Sequence, residues 1–289
     1  HVDGALVRSE VVYEQAVASP DPSPEPSFVA DELTVLQTYA ETLAPEQLSA
    51  IAAAIAPLDW RTVGQRDRFL QELGALRSRL QTLSPWIKQR QVTCVGHAHL
   101  DLAWLWPVAE TWQAAERTFR SVLALQKDFP ELTYTHSSPA LFHWLETHQP
   151  DLFHDVQQAV QQGRWSIDAG LWVEPELNTL GGESLARQIL YGQRYTQSRF
   201  GDVSAIAWLP DSFGFSWQLP QLLKLGGIDY FATQKLRWNE TTTFPHSLFW
   251  WQGLDGTALL SLPLPPIGAA VDPVQLAPHR AQWDGQTGI

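Results

Sequence analysis

The chain has 289 residues, 44% of them hydrophobic, enough for one large core or for one core with a smaller satellite domain. Lys and Arg number 19 against 31 Asp and Glu, a formal net charge of −12. That excludes a sequence-independent nucleic-acid binder, which needs a basic footprint, and it has the wrong sign for an anionic membrane surface.

Residues 1–27 read as an upstream tail closed by a linker. Ser19-Pro20-Asp21-Pro22-Ser23-Pro24-Glu25-Pro26-Ser27 is poor in backbone donors and favours extended polyproline II. The chain opens on His1 rather than Met and stops at Ile289 just past a Gly-containing turn, so it reads as a piece of something longer. The apolar runs are short and broken by Pro, Gly or charge, so no membrane span is expected. A single cysteine, Cys94, leaves no internal disulfide and fits a reducing, cytoplasmic setting.

Residues 28–90 read as a helical segment. Phe69, Leu73, Leu76, Leu80 and Leu83 recur at spacings of four and three and line one helix face. An Ala-rich run over 45–56 opens on Pro45, a favoured first-turn residue, and is stopped by Pro57. No chemistry is visible in this segment.

From 91 to 289 short β-type runs alternate with helical ones. Strands are predicted at 92–96, 132–136, 165–169, 204–209, 229–233, 249–251 and 258–262, and helices at 108–129, 140–162, 183–200 and 218–225. In the first helix Val108, Trp112, Ala115, Phe119 and Val122 form the apolar stripe. Repeated β-α units predict an α/β fold, either a mainly parallel β/α sheet or an irregular β/α barrel, preceded by the small helical segment. Sites in such sheets gather at the carboxyl ends of strands.

Three constellations fall at those ends. Gly96-His97-Ala98-His99-Leu100-Asp101 puts His97, His99 and Asp101 at alternate positions, on one side if the strand continues through them. Imidazole with carboxylate suits zinc or another first-row divalent ion, although spacing alone does not say which imidazole ligates. Trp208-Leu209-Pro210-Asp211-Ser212-Phe213-Gly214 places Asp211 directly after a strand. There it is a turn aspartate, a further ligand to the same ion, or a nucleophile. Trp104, read as opening a helix, is core or the floor of a sugar pocket; the chain holds 14 Trp and no Met. Trp172-Val173-Glu174-Pro175-Glu176 adds two carboxylates at a rim, and Lys235 is one more charge past a strand end.

Taken together, these segments resemble the catalytic domain of glycoside hydrolase family 38, the α-mannosidases. The resemblance rests on Gly96-His97-Ala98-His99-Leu100-Asp101-Leu102-Ala103-Trp104, Trp172-Val173-Glu174, Gly182-Glu183-Ser184 with Arg187-Gln188 and Tyr191-Gly192-Gln193-Arg194, Trp208 to Gly214, Thr233-Gln234-Lys235 and Phe244-Pro245-His246. It looks closest to the cytosolic, class II type. It implies a retaining zinc enzyme that releases terminal α-linked mannose from oligosaccharides. By position it implies His99 and Asp101 as zinc ligands, Asp211 as both zinc ligand and catalytic nucleophile, and Trp104 under the mannose ring. His97 is then a neighbour behind the ligands, and Lys235 falls where some members carry an Arg near the nucleophile. The family's further zinc-binding His and its acid/base Asp are expected beyond residue 289, since Asp272, His279 and Asp284 lack the family context. The chain by itself is then expected to be inactive or nearly so.

Two other readings remain open. One is a metal-dependent carbohydrate deacetylase or amidohydrolase, in which zinc activates water and no covalent nucleophile exists. The other is a non-catalytic carbohydrate-binding fragment. The partner in each case is a saccharide, with no nucleic acid and no membrane, and with a homo-oligomer left open.

Overall fold

The computed structural model describes residues 25–265 and 272–287. Most of the predicted tail and linker, residues 1–24, lies outside the described residues. The chain forms two compact units. One holds the described residues up to Val92 together with the stretch up to Gly285 after Val271; the other begins at Thr93.

The first unit is helical: α1 (Pro26–Leu43), α2 (Gln47–Ile55), α3 (Arg66–Leu80), the single turn α4 (Ser84–Ile87) and a last helix, Pro273–Thr287. Leu73, Leu76, Leu80 and Leu83 bury one face of the α3 region against Val29, Ala40, Ile51 and Ala54, with Phe69 packed at the edge. Arg77 grips Glu32 by two bonds of 2.7 Å and ties α3 to α1. Pro45 precedes α2 by two residues rather than opening it. Asp284 pairs with Arg280 at 2.9 Å and Arg90 at 3.2 Å, and Asp272 accepts from Val274 N–H. Both carboxylates are thus engaged inside the helical unit.

The second unit carries two sheets. In the first, β1 (Gly96–His97), β2 (Tyr134–His136) and β3 (Trp165–Ile167) run parallel in that order. In the second, β4 (Ile206–Trp208), β5 (Tyr230–Thr233) and β7 (Ala258–Pro263) run parallel. β6 (Phe249–Gln252) lies at the edge, antiparallel to β7. Helices α5 (Val108–Asp128), α6 (Pro139–His148) and α7 (Pro150–Gln161) connect the first sheet, and α8 (Gly182–Phe200) and α9 (Leu219–Leu225) serve the second. The architecture is the α/β one that the alternation predicts. Among the described residues no helix is long and apolar enough to cross a membrane.

Three local expectations are corrected. The single helix predicted over 140–162 is two, because a residue before proline is driven out of the helical region. Gln149, ahead of Pro150, sits at φ −138, ψ 58 and ends α6. The strand predicted over 92–96 survives only at its last residue: Val92 and Val95 are exposed, and β-branched composition makes a strand only where a ladder partner exists. The α5 stripe begins at Trp112, since Val108 at the helix start is exposed while Ala115, Phe119 and Val122 are buried.

Two glycines bring the site-bearing segments together. Gly170, just after β3, has φ +71, and a Cβ there would stand 2.9 Å from Ile206 O and 2.8 Å from Ile228 Cδ1. Only a residue without a side chain lets the β3 exit lie against β4. Gly192 in the middle of α8 plays the same part, since its Cβ would meet the Leu171 carbonyl carbon at 2.5 Å.

Candidate metal centre and active site

β1 stops at His97, and the chain leaves the sheet through His99 and Asp101. β4 stops at Trp208 and leads through Pro210 to Asp211. The two exits meet. His99 Nε2 lies 2.9 Å from Asp101 Oδ1 and 3.7 Å from Asp211 Oδ2. One ligand atom from each residue falls within 4.8 Å of the others. Tetrahedral zinc with bonds near 2.1 Å holds its ligands about 3.4 Å apart. The two separations from His99 fall on either side of that value, and one nitrogen with two carboxylate oxygens is a donor set that suits a divalent first-row ion.

His97 faces elsewhere. Its Nδ1 lies 3.1 Å from Thr135 O, and its ring packs against Trp208 and His136 at 5.2 and 5.7 Å. Burial holds its pKa down, to about 4. The expectation that His97, His99 and Asp101 share one side required the strand to continue. It ends at His97, so the two-residue alternation is lost where the loop begins.

The loop that follows Asp101 is pinned by α5. Thr111 Oγ1 donates to Asp101 O at 2.7 Å and accepts from Ala103 N–H at 3.1 Å and Trp106 Nε1–H at 3.0 Å. Ala103 adopts φ 62, the left-handed region. Trp104 does not open a helix, as its sequence position suggests; it lies in this loop, since α5 starts only after Pro107. Its indole is 67% exposed and meets Trp106 edge-on at 5.3 Å.

Asp211 is held from behind. Its Oδ1 forms an ion pair with the Lys235 ammonium and accepts from Gln234 Nε2 at 3.4 Å. The Lys235 side chain is only 4% exposed, and its Nζ stands 3.2 Å from the Trp238 ring centre and 3.9 Å from that of Phe213. The cation is therefore shielded by aromatic faces, a favourable place for it.

Glu174, two residues past Trp172 in the β3 exit, is the principal residue that sequence reasoning left at the rim. Its Oε1 accepts from Asp211 N–H and, at 2.7 Å, from Ser212 N–H, while Oε2 lies 3.4 Å from His99 Nδ1. Burial pushes its pKa up to about 7, against the lowering pull of His99 and of the two amides. Its loop is fixed by α8: Trp172 N–H donates to Gln188 O at 2.8 Å and Val173 N–H to Gln188 Oε1 at 3.1 Å. The available signal was a carboxylate five residues past the strand predicted at 165–169. Gln234, beside Lys235, entered only within the Thr233-Gln234-Lys235 match, with no role read from it.

Residues 89–272 match the model of the glycosyl hydrolases family 38 N-terminal domain. Over 168 residues the chain is 46% identical to an alpha-mannosidase of Saccharomyces cerevisiae, a match covering 58% of this chain and 16% of that protein. Over 172 residues it is 39% identical to alpha-mannosidase 2C1 of Homo sapiens, covering 60% of this chain and 16% of that one. The chain thus spans about a sixth of the length of the curated relatives it matches. In fold it is similar to the crystal structure of an alpha-mannosidase from Enterococcus faecalis, with a TM-score of 0.50 at 23% identity over 59% of this chain and 19% of that one. With the family model covering most of the second unit and its site, the chain belongs to glycosyl hydrolase family 38 and carries the family's N-terminal domain.

Proposed function

We propose that this chain supplies the nucleophile and part of the zinc site for hydrolysis of terminal α-linked mannose from oligosaccharides, with retention of configuration, in a cytoplasmic setting. The observation that carries the reading is the meeting of Asp211 with His99 and Asp101 in one cluster. His99, Asp101 and Asp211 would hold the ion. Zinc, when bound, supplies positive charge and a template for sugar hydroxyls.

The chain's own groups do the rest. Asp211 attacks the anomeric carbon, the bond to the leaving-group oxygen breaks, and a glycosyl ester forms that water then hydrolyses. Lys235 and Gln234 face one oxygen of Asp211, orienting the carboxylate for attack and stabilising it again as it leaves the ester. Trp104 offers an open indole face to the apolar side of a pyranose. The acid/base carboxyl belongs about 5–5.5 Å from the nucleophile in a retaining pair. Among the described residues none is given that role.

An activated fluoro-mannosyl fluoride tests this directly. Fluoride departs without a proton, so labelling does not depend on the acid. The expected result is a covalent mannosyl adduct on the peptide that contains Asp211, lost in Asp211→Asn. A deacetylase or a binding fragment gives no adduct, and an adduct on another carboxylate would remove Asp211 from its role.

A further inference from the structure

We infer that Glu174 is a positioning residue that locks the two halves of the candidate metal site to each other. The inference rests on the zinc reading above and deepens it. Three loops must be held together here, those leaving β1, β3 and β4. A single carboxylate on the middle one touches both of the others. Oε1 accepts the backbone N–H groups of Asp211 and Ser212, which fixes the main chain from which the Asp211 side chain projects. Oε2 stands 3.4 Å from His99 Nδ1, on the far side of the ring from Asp101 and Asp211.

A metal-binding imidazole needs its proton on the nitrogen away from the ion, and an acceptor there sets that tautomer. Glu174 Oε2 stands 3.4 Å from Nδ1, so a proton placed there leaves the Nε2 lone pair for an ion between Asp101 and Asp211; the competing tautomer puts the proton on Nε2, 2.9 Å from Asp101 Oδ1. The same side chain therefore orients an imidazole through one oxygen and a ligand-bearing loop through the other. The support is rigid. Glu174 is largely buried, with 14% of its side chain exposed. Its loop is bonded to Gln188 on one side, and Trp172 O accepts from Ala140 N–H at 3.1 Å on the other.

Glu174→Gln separates this role from simple loop support. The glutamine carbonyl oxygen can still accept from Asp211 and Ser212, while its NH₂ group meets His99 Nδ1 as a donor and reverses the tautomer. Three readouts on the full chain are used: affinity for zinc chloride by chelator competition, the amide signals of Asp211 and Ser212, and the ring-nitrogen signals of His99 in metal-free protein. Glu174→Gln is expected to leave the amides and the melting temperature nearly unchanged. It should weaken zinc binding by about 10- to 100-fold, the usual effect of losing such an outer partner. Glu174→Ala is expected to move the amides as well. Zinc affinity in Glu174→Gln equal to that of the parent chain overturns the proposal, and so does an unprotonated His99 Nδ1 in the parent. If the parent chain binds no zinc, its three ligands do not hold the ion by themselves. The ring signals then decide by themselves: a protonated Nδ1 that changes in Glu174→Gln supports the role of Glu174, and an unchanged one overturns it.

Discussion

The Asp211–Lys235 pair permits a quantitative test. The Lys235 side chain is 4% exposed and that of Asp211 27%, so the pair is sealed at the lysine end and open at the carboxylate end. At an effective dielectric near 20, two unit charges at 4 Å interact by about 4 kcal/mol. The open end lets water screen part of this, so a coupling of about 2 kcal/mol is expected. Asp211→Asn leaves a buried ammonium without its anion, a loss that commonly costs about 3 kcal/mol or more. The Phe213 and Trp238 faces offset about 1 kcal/mol of it. Lys235→Met fills much the same space without the charge, and leaves a carboxylate that can still reach water, so it should cost less. Combined with Asp211→Asn it should restore much of the lost stability, because no buried charge then remains uncompensated. The assay is urea unfolding of all four proteins with a chelator present, so that metal ligation by Asp211 does not enter. Costs that simply add, within about 0.5 kcal/mol, would show that the pair is not energetically coupled.

The other expectations are simpler. His136 is buried among His97, Tyr134, Phe119 and Phe142, and burial holds its pKa well below 6.5. Below that pH the unfolded chain takes up a proton that the folded chain refuses, so stability is fully present above pH 6.5 and falls as pH drops. The His136 share is about 1.4 kcal/mol between pH 7.5 and 5.5. His136→Phe should flatten the pH dependence of unfolding free energy by that amount, and an unchanged slope would contradict the assignment. Gly192→Ala places a Cβ against the Leu171 carbonyl carbon and should cost about 2–3 kcal/mol by denaturation. It should also weaken zinc binding, since the displaced loop carries Glu174; unaltered affinity would separate the loop from the site. Trp104→Ala removes an exposed indole and should change stability by less than about 0.5 kcal/mol. The same variant should weaken mannoside binding measured by titration, and equal binding would rule out the stacking platform.

Local chemistry along the chain was enough for the α/β alternation, for the packed stripe of α3, and for marking His97, His99, Asp101 and Asp211 as polar groups at strand ends. These follow from nearest-neighbour physics: side-chain periodicity, proline punctuation, and the placement of polar groups at strand ends. The choice of His99, Asp101 and Asp211 from among the four rests on the family resemblance. The break at Gln149 was missed in the sequence although Pro150 marks it, because the apolar pattern runs on across a residue that a following proline drives out of the helical region. Contacts between segments far apart in the sequence were a different matter. His97 and His99 are chemically alike, and only the end of β1 turns one toward His136 and the other toward Asp211. Glu174 looks like a rim carboxylate until Gly170 and Gly192 bring its loop against β4 and α8, where its oxygens find two amides and an imidazole. Lys235 reads as a solvated charge until Trp238 and Phe213 close over it. Periodicity reports which face a residue turns to its own element. Which partner waits there depends on backbones from distant segments of the sequence approaching within a few ångströms, and that is settled by packing.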